Sequence, residues 1–367
     1  MDIKREVLFE LPPTEGNPRN SEGDFARLPD GGIMFAFTRY SGNTWDDHED
    51  STICAVYSRD GSHFDTKNVK TIVRPERFGG RNAMSVTLRP NGNGGISLYC
   101  LIKFDTTDVT KNPVRDEYYR IDSKDGYDFS GEATLCFPKS HKGYYAPNNC
   151  RVVATSGGRI VIPASEHKWS FNGEKYVIRD SGEARFIYSD DGGKSWNEAV
   201  QVLKFPDAND RNGLQEPGVV ELPDGRLYGY FRTDADCQYE SFSSDGGISW
   251  TEPRPSRFES PLSPMYISRN PYSGRYYAVW NPYKDDPESV EHPRFRNTWG
   301  RTPLAIAESD DGINYGEFQL VESDIRRGYC YPAVFYLSKT EALMSYCSGG
   351  GDIVPLQRTT VSKITFE

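Results

Sequence analysis

With 367 residues, 36% hydrophobic and 26% charged, the chain has material for a sizeable core, and 13% aromatics excludes intrinsic disorder. A formal net charge of −10 opposes phosphate binding, so nucleic acid is not expected as a partner. No stretch approaches the ~18 apolar residues of a membrane span, and the opening Met1-Asp2-Ile3-Lys4-Arg5-Glu6-Val7 lacks the apolar run of a secretion signal, so no membrane contact and a cytoplasmic address are expected.

The 34 Gly, 24 Pro, 23 Tyr and 19 Phe suit many short strands joined by tight turns. The seven cysteines are odd in number, far apart and without a C-x-x-C pair, and read as reduced structural thiols.

In chain order, Glu6–Leu11 is the first predicted strand. Leu28-Pro29-Asp30-Gly31 is a turn, and the apolar run from Gly32 to Phe37 a buried strand. Related turns follow at Arg89-Pro90-Asn91-Gly92, Thr155-Ser156-Gly157-Gly158, Leu222-Pro223-Asp224-Gly225, Pro271-Tyr272-Ser273-Gly274 and Leu337-Ser338-Lys339-Thr340, six in all.

Between them a second pattern recurs: a Ser, one residue, an Asp, a Gly, then an aromatic. Its copies start at Ser58, Ser123, Ser189, Ser243 and Ser309, with spacings of 65, 66, 54 and 66 residues. The fullest are Ser189-Asp190-Asp191-Gly192-Gly193-Lys194-Ser195-Trp196 and Ser243-Ser244-Asp245-Gly246-Gly247-Ile248-Ser249-Trp250. Ser and Asp bond the turn's own backbone, Gly takes the left-handed conformation, and the aromatic folds back, so each copy is a staple rather than a site.

Two hairpins per repeat make a four-stranded antiparallel sheet, and six sheets of ~60 residues use up the chain as a propeller does. The expected fold is all-β: a single six-bladed β-propeller over residues 1–367, with the strand at Glu6–Leu11 completing the blade begun by Tyr331–Tyr336 and Ala342–Tyr346. Such closure leaves no long exposed edge.

The two full staples match the Asp-box of the sialidase superfamily. Between the boxes, Gln215-Glu216-Pro217-Gly218, Tyr230-Phe231-Arg232, Arg301-Thr302-Pro303-Leu304 and Gly328-Tyr329-Cys330-Tyr331-Pro332 resemble, in order and spacing, its Glu-Pro, two later arginines and tyrosine. Asn20-Ser21-Glu22-Gly23-Asp24, Pro147-Asn148-Asn149-Cys150-Arg151-Val152, Ser263-Pro264 and Val279-Trp280-Asn281 are similar to a bacterial sialidase-like subgroup of BNR-repeat proteins.

The resemblance implies a retaining exo-glycosidase acting on a terminal sugar, with Tyr331 as nucleophile and Tyr329 as the alternative. Glu216 would be the activator, Arg232 and Arg301 a carboxylate clamp, and Asp47, in the acidic run Asp46–Asp50, the acid/base. A neutral phenol approaches an anionic sugar without the repulsion a carboxylate would meet, and sialidases depart from the two-carboxylate rule in this way. Where the family has its first clamp arginine this chain has Glu22; Arg19, Arg27 and Arg39 lie at other spacings, which implies a changed substrate.

Asn148, Asn149, Arg151 and His167 form a further polar group that could either bind sugar hydroxyls or satisfy buried backbone groups, and Gln238 and Glu240 lie at strand-alternating positions that could line the same pocket. No second ligand cluster accompanies His48 and its acidic neighbours, so neither metal nor cofactor is expected. The alternatives are a catalytically silent carbohydrate-binding propeller and a uronate polysaccharide lyase.

Overall fold

The computed structural model describes residues 1–104, 113–138, 143–207, 212–283 and 297–367. Apart from short 3-10 turns, the elements are strands. β1 (Ile3–Leu11) is followed by β2 (Asn20–Arg27), β3 (Ile33–Tyr40), β4 (Ser51–Ser58) and β5 (Lys70–Val73), of which the last four pair antiparallel in order. β6 (Asn82–Pro90), β7 (Ile96–Phe104), β8 (Arg115–Ser123) and β9 (Ala133–Leu135) repeat the arrangement, joined to the first set by one parallel contact between Ser51 and Asn82.

In the next sheet β10 (Tyr144–Ala146) and β11 (Val153–Ala154) both pair with β12 (Ile160–Phe171), which continues into β13 (Tyr176–Ser189) and β14 (Asn197–Glu198). β15 (Gln215–Glu221), β16 (Leu227–Arg232), β17 (Cys237–Ser243) and β18 (Arg254–Glu259) form one four-stranded sheet. β19 (Tyr266–Arg269), β20 (Tyr276–Trp280), β21 (Leu304–Ser309) and β22 (Gln319–Glu322) form another. The last contains β23 (Cys330–Tyr336), β24 (Glu341–Cys347), β25 (Thr359–Phe366) and β1, which lies antiparallel on β25. The four-stranded antiparallel sheets expected from paired hairpins are therefore present.

The core is divided among the faces between successive sheets. Ala26 and Met34 meet Val86 and Leu98, Tyr99 and Tyr118 meet Ile162 and Ile187, and Val161 and Phe186 meet Val219 and Phe231. Tyr228 then meets Ile267 and Tyr276, Val279 and Ile306 meet Val334 and Met344, and Leu343 and Val361 of the last sheet meet Phe25 and Phe35 of the first. Each sheet is buried on both faces, which explains strands such as Ile96–Phe104 that are buried along their whole length.

The staples have the chemistry their sequence implies. Ser243 Oγ donates to Asp245 Oδ1 at 2.8 Å and accepts from the Gly247 amide at 2.8 Å, while Asp245 Oδ1 accepts from the amides of Ile248 and Ser249. Trp250 folds back, donating its indole N–H to the Gly247 carbonyl and stacking on Phe186 at 4.2 Å. The same Ser-to-Asp bond recurs at Ser58, Ser123, Ser189 and Ser309. Replacing Asp245 by Ala removes several charge-assisted bonds at once, and urea unfolding is expected to show a loss of about 2 kcal/mol. Among the described residues no helix is long and apolar enough to cross a membrane.

Candidate active site

The site is built on one repeated irregularity. β2, β6, β15 and β23, each the first strand of its set, break register with the next strand at matching places: between Ser21 and Asp24, Met84 and Thr87, Gln215 and Gly218, and Cys330 and Ala333. Inside each break one non-glycine residue takes positive φ: Glu22 (56°), Ser85 (56°), Glu216 (45°) and Tyr331 (54°). Left-handed backbone costs a non-glycine residue about 1 kcal/mol or more and concentrates at functional sites, where a bulge re-aims a side chain.

Two of the four meet. Tyr331 donates its hydroxyl to Glu216 Oε1 at 2.6 Å, and Arg232 Nη1 donates to the same oxygen at 2.8 Å. Arg232 stands opposite Gln215 across the β15–β16 hairpin, which explains the sixteen-residue separation in sequence. Arg301, in the turn before β21, is 6% exposed, lies over the Trp299 ring at 5.0 Å, and has Nε and Nη1 without hydrogen-bond partners.

These charges set the protonation states. Burial pulls the Glu216 carboxyl up, but Arg232, the Tyr331 hydroxyl and Arg301 together hold it below its usual range, so it is ionised. Burial and the Glu216 charge raise the Tyr331 phenol well above its usual value, while Arg232 and Arg301 pull the other way. In the resting site the proton therefore stays on the phenol.

The third bulge residue, Glu22, belongs to an adjoining cluster. Arg19, fully buried against the Tyr40 ring, donates Nη2 to Glu22 Oε1 at 2.8 Å and Nη1 to Asp47 Oδ1 at 2.5 Å. Glu22 Oε2 is buried without a partner, and burial raises its carboxyl to about 7, with the charges of Asp47 and Glu216 acting in the same direction against Arg19 and Lys103. Arg19 and Lys103 hold the Asp47 carboxyl well below the usual range. Its loop is pinned by Lys103 Nζ and Asn82 Nδ2, both donating to the Asp47 carbonyl. Trp45 of the same loop packs on Trp299 at 5.8 Å, an aromatic wall beside Arg301.

Of the residues singled out in the sequence, Tyr331, Glu216, Arg232, Arg301, Glu22 and Asp47 come together. Tyr329 does not. It is fully buried between sheets against Tyr346 and donates its hydroxyl to the Asp324 carbonyl, because the bulge at Tyr331 breaks the alternation that would have aimed both tyrosines one way. Gln238 is likewise corrected: its amide is buried in β17, donating to Ser260 Oγ and the Ser263 carbonyl, where it holds a loop.

Asn149 donates to the Gly23 carbonyl and ties the third sheet to β2. Arg151 donates Nη1 to the Tyr230 hydroxyl at 2.6 Å, toward the other end of the first strands. His167 lies opposite Tyr144 at the rim, 6.0 Å between rings.

Two further cations belong to the site. Lys103 is marked in the sequence as the lone cation in the buried run Ile96–Phe104. Arg19, whose spacing differs from that of the family's clamp arginine, enters from just before β2 and reaches Glu22 by its length. Among the described residues no group of three or more His, Cys, Asp or Glu is placed to hold a metal.

Sequence comparison, in agreement with the fold, makes this chain a member of the sialidase and BNR-repeat superfamily. Residues 69–343 match the BNR repeat-like domain, and the chain belongs to that family. A segment of 99 residues is 37% identical to an anhydrosialidase of Macrobdella decora, a match covering 26% of this chain and 10% of that protein. Among solved structures, a protein of unknown function from Dyadobacter fermentans superposes with a TM-score of 0.71 at 18% identity, covering 99% of both chains. The NanB sialidase from Streptococcus pneumoniae superposes with a TM-score of 0.68 at 12% identity, covering 98% of this chain and 70% of that one. At such identities the likeness is one of fold.

Proposed function

We propose that this chain is a six-bladed β-propeller and a sialidase-like, retaining exo-glycosidase that takes a terminal sugar from an oligosaccharide or glycoconjugate. The ring is supported by the interfaces between successive sheets, which return from the last sheet to the first. The observation that carries the enzymatic reading is the 2.6 Å bond from Tyr331 to Glu216, with Arg232 on the same carboxylate and Arg301 beside it.

In this reading Tyr331 Oη bonds to the anomeric carbon as the glycosidic C–O bond breaks, and the phenolic proton passes to Glu216 during attack rather than before it. Asp47, whose side chain is 53% exposed and so open to an incoming ligand, protonates the leaving oxygen. Because Arg19 keeps it ionised at rest, the reading requires that substrate draw Arg19 away before Asp47 takes up its proton. Water then attacks the anomeric carbon and returns a proton to Asp47, while Glu216 gives the proton back to the phenol.

Substrate choice falls to Glu22, which occupies the bulge where the family places an arginine; Arg19 supplies the cation but shares it between two carboxylates. A terminal sugar with hydroxyls toward Glu22, or an acidic sugar met by its protonated form, fits this arrangement. A cytoplasmic address serving small imported fragments belongs to the same proposal and agrees with seven unpaired cysteines.

A panel of chromogenic sialosides, uronides and neutral glycosides tests the reading. Release of one sugar with retained anomeric configuration is the expected result. An unsaturated, ultraviolet-absorbing product would identify a lyase, and binding without release a silent propeller.

A further inference from the structure

The strands that carry the candidate site at their starts line a second cavity with their ends. It has a volume of about 580 Å³ and is walled by the last residues of β2, β6, β11, β15, β19 and β23, within the range of small-molecule pockets.

Arg27, Arg89 and Arg269 reach it from three different strands. None of them forms an ion pair among the described residues, although Arg89 lies near enough to Asp24 to favour its ionised form. Arg27 donates to the Gly31 carbonyl and Arg269 to the Gly274 carbonyl, leaving most of each guanidinium unused. Arg151 lies on the same wall.

Two carboxylates also face the cavity, but both are turned to the protein. Asp24 accepts the amides of Phe25 and Leu88, and Glu221 accepts the amide and hydroxyl of Ser156. Burial raises the Asp24 carboxyl to about 7 against the pull of two amides and Arg89, so near neutrality it carries only part of a charge. A chain of net charge −10 thus places four arginines against two carboxylates at one mouth, a local excess of positive charge. Tyr266, Tyr272 and Phe335 add ring faces, with Arg27 over Phe335 at 5.9 Å.

Guanidinium forks match the paired oxygens of carboxylates and phosphates, and aromatic faces pack against carbon rings. We propose that this cavity is a second ligand site, separate from Glu216 and Tyr331, for a small oxyanion carried on a ring-sized carbon skeleton.

Calorimetric titration of the full chain with glucuronate, inorganic phosphate and glucose tests it. Glucuronate and phosphate are expected to bind and glucose not; the tighter of the two anions tells whether carboxylate or phosphate is preferred. Arg89→Ala and Arg269→Ala are each expected to weaken binding about tenfold, with melting temperatures confirming that both variants fold. Arg301→Ala is expected to leave unchanged the part of the binding that the cavity arginines control. Absence of anion binding overturns the proposal, as do affinities indifferent to Arg27→Ala, Arg89→Ala and Arg269→Ala together, glucose binding that those three substitutions weaken as much as glucuronate binding, or loss in Arg301→Ala of the binding those three control. None of these outcomes depends on turnover at the other end.

Discussion

Tyr331→Phe is expected to lower kcat for the glycoside that the panel identifies by about 10³-fold or more, with KM little changed, because the lost oxygen bonds to carbon only after substrate is in place. The fold should survive: Tyr331 is partly buried, and its hydroxyl has the Glu216 carboxylate as its partner. Glu216→Gln keeps an oxygen for the phenol but removes the proton acceptor and leaves Arg232 and Arg301 without their counter-charge, so a loss of about 10²–10³-fold follows.

Tyr329→Phe provides the contrast. It deletes one hydroxyl bonded to the Asp324 carbonyl, so about 1 kcal/mol of stability goes while turnover changes little. A fluorinated sugar that traps the intermediate should label the peptide containing Tyr331, and mass spectrometry locates the adduct. Full turnover by Tyr331→Phe, or a label on another residue, would sink the tyrosine mechanism.

The fold was legible because its signals are local. Each staple closes within a few residues through bonds that Ser, Asp and Gly make with their own turn, as Ser243, Asp245 and Gly247 do, so no long-range information is needed to place it. Glu216 and Arg232 were legible for a related reason: a short hairpin turns sixteen residues of sequence into neighbouring strands.

Prediction failed where side-chain direction depended on irregular backbone. The rule that residues i and i+2 share a face holds on a regular strand, and the bulge at Tyr331 suspends it, which sent Tyr329 into the core. Asn149 and Gln238 differ: for Asn149 the sequence leaves binding a hydroxyl and satisfying buried backbone equally open, and its bond to the Gly23 carbonyl is the second, whereas Gln238 is expected in the pocket. Both are polar, buried and spent on backbone or loop partners that their types do not reveal. Arg19 lies outside β2, where strand periodicity gives no guidance.

Glu22 carries a pH-dependent prediction that separates it from Asp47. With its carboxyl raised to about 7, Glu22 is mostly protonated below neutrality and can donate an O–H to an incoming carboxylate; above neutrality it is an anion that repels one. KM for an acidic sugar is therefore expected to rise about tenfold between about pH 6 and about pH 8, while KM for a neutral sugar stays flat. Glu22→Gln removes the dependence, since an amide does not titrate in this range. In the resting site Asp47 adds nothing to this dependence, because Arg19 and Lys103 hold its carboxyl far below the range; the Glu22→Gln comparison separates the two groups.

The same group links pH to stability. Its folded value lies above the ordinary 4.5 of a glutamate, so between about 4.5 and about 7 the native state binds more protons than the unfolded chain, and stability falls as pH rises through that window. Glu22→Gln should then exceed the parent by about 3 kcal/mol in urea unfolding near pH 8 and show little advantage near pH 4. Such a gain is the reverse face of a strained, buried carboxylate kept at a functional site. A parent whose KM for acidic sugars is flat with pH, or a glutamine variant that keeps the parental slope, would remove Glu22 from substrate recognition and leave its unpartnered oxygen unexplained.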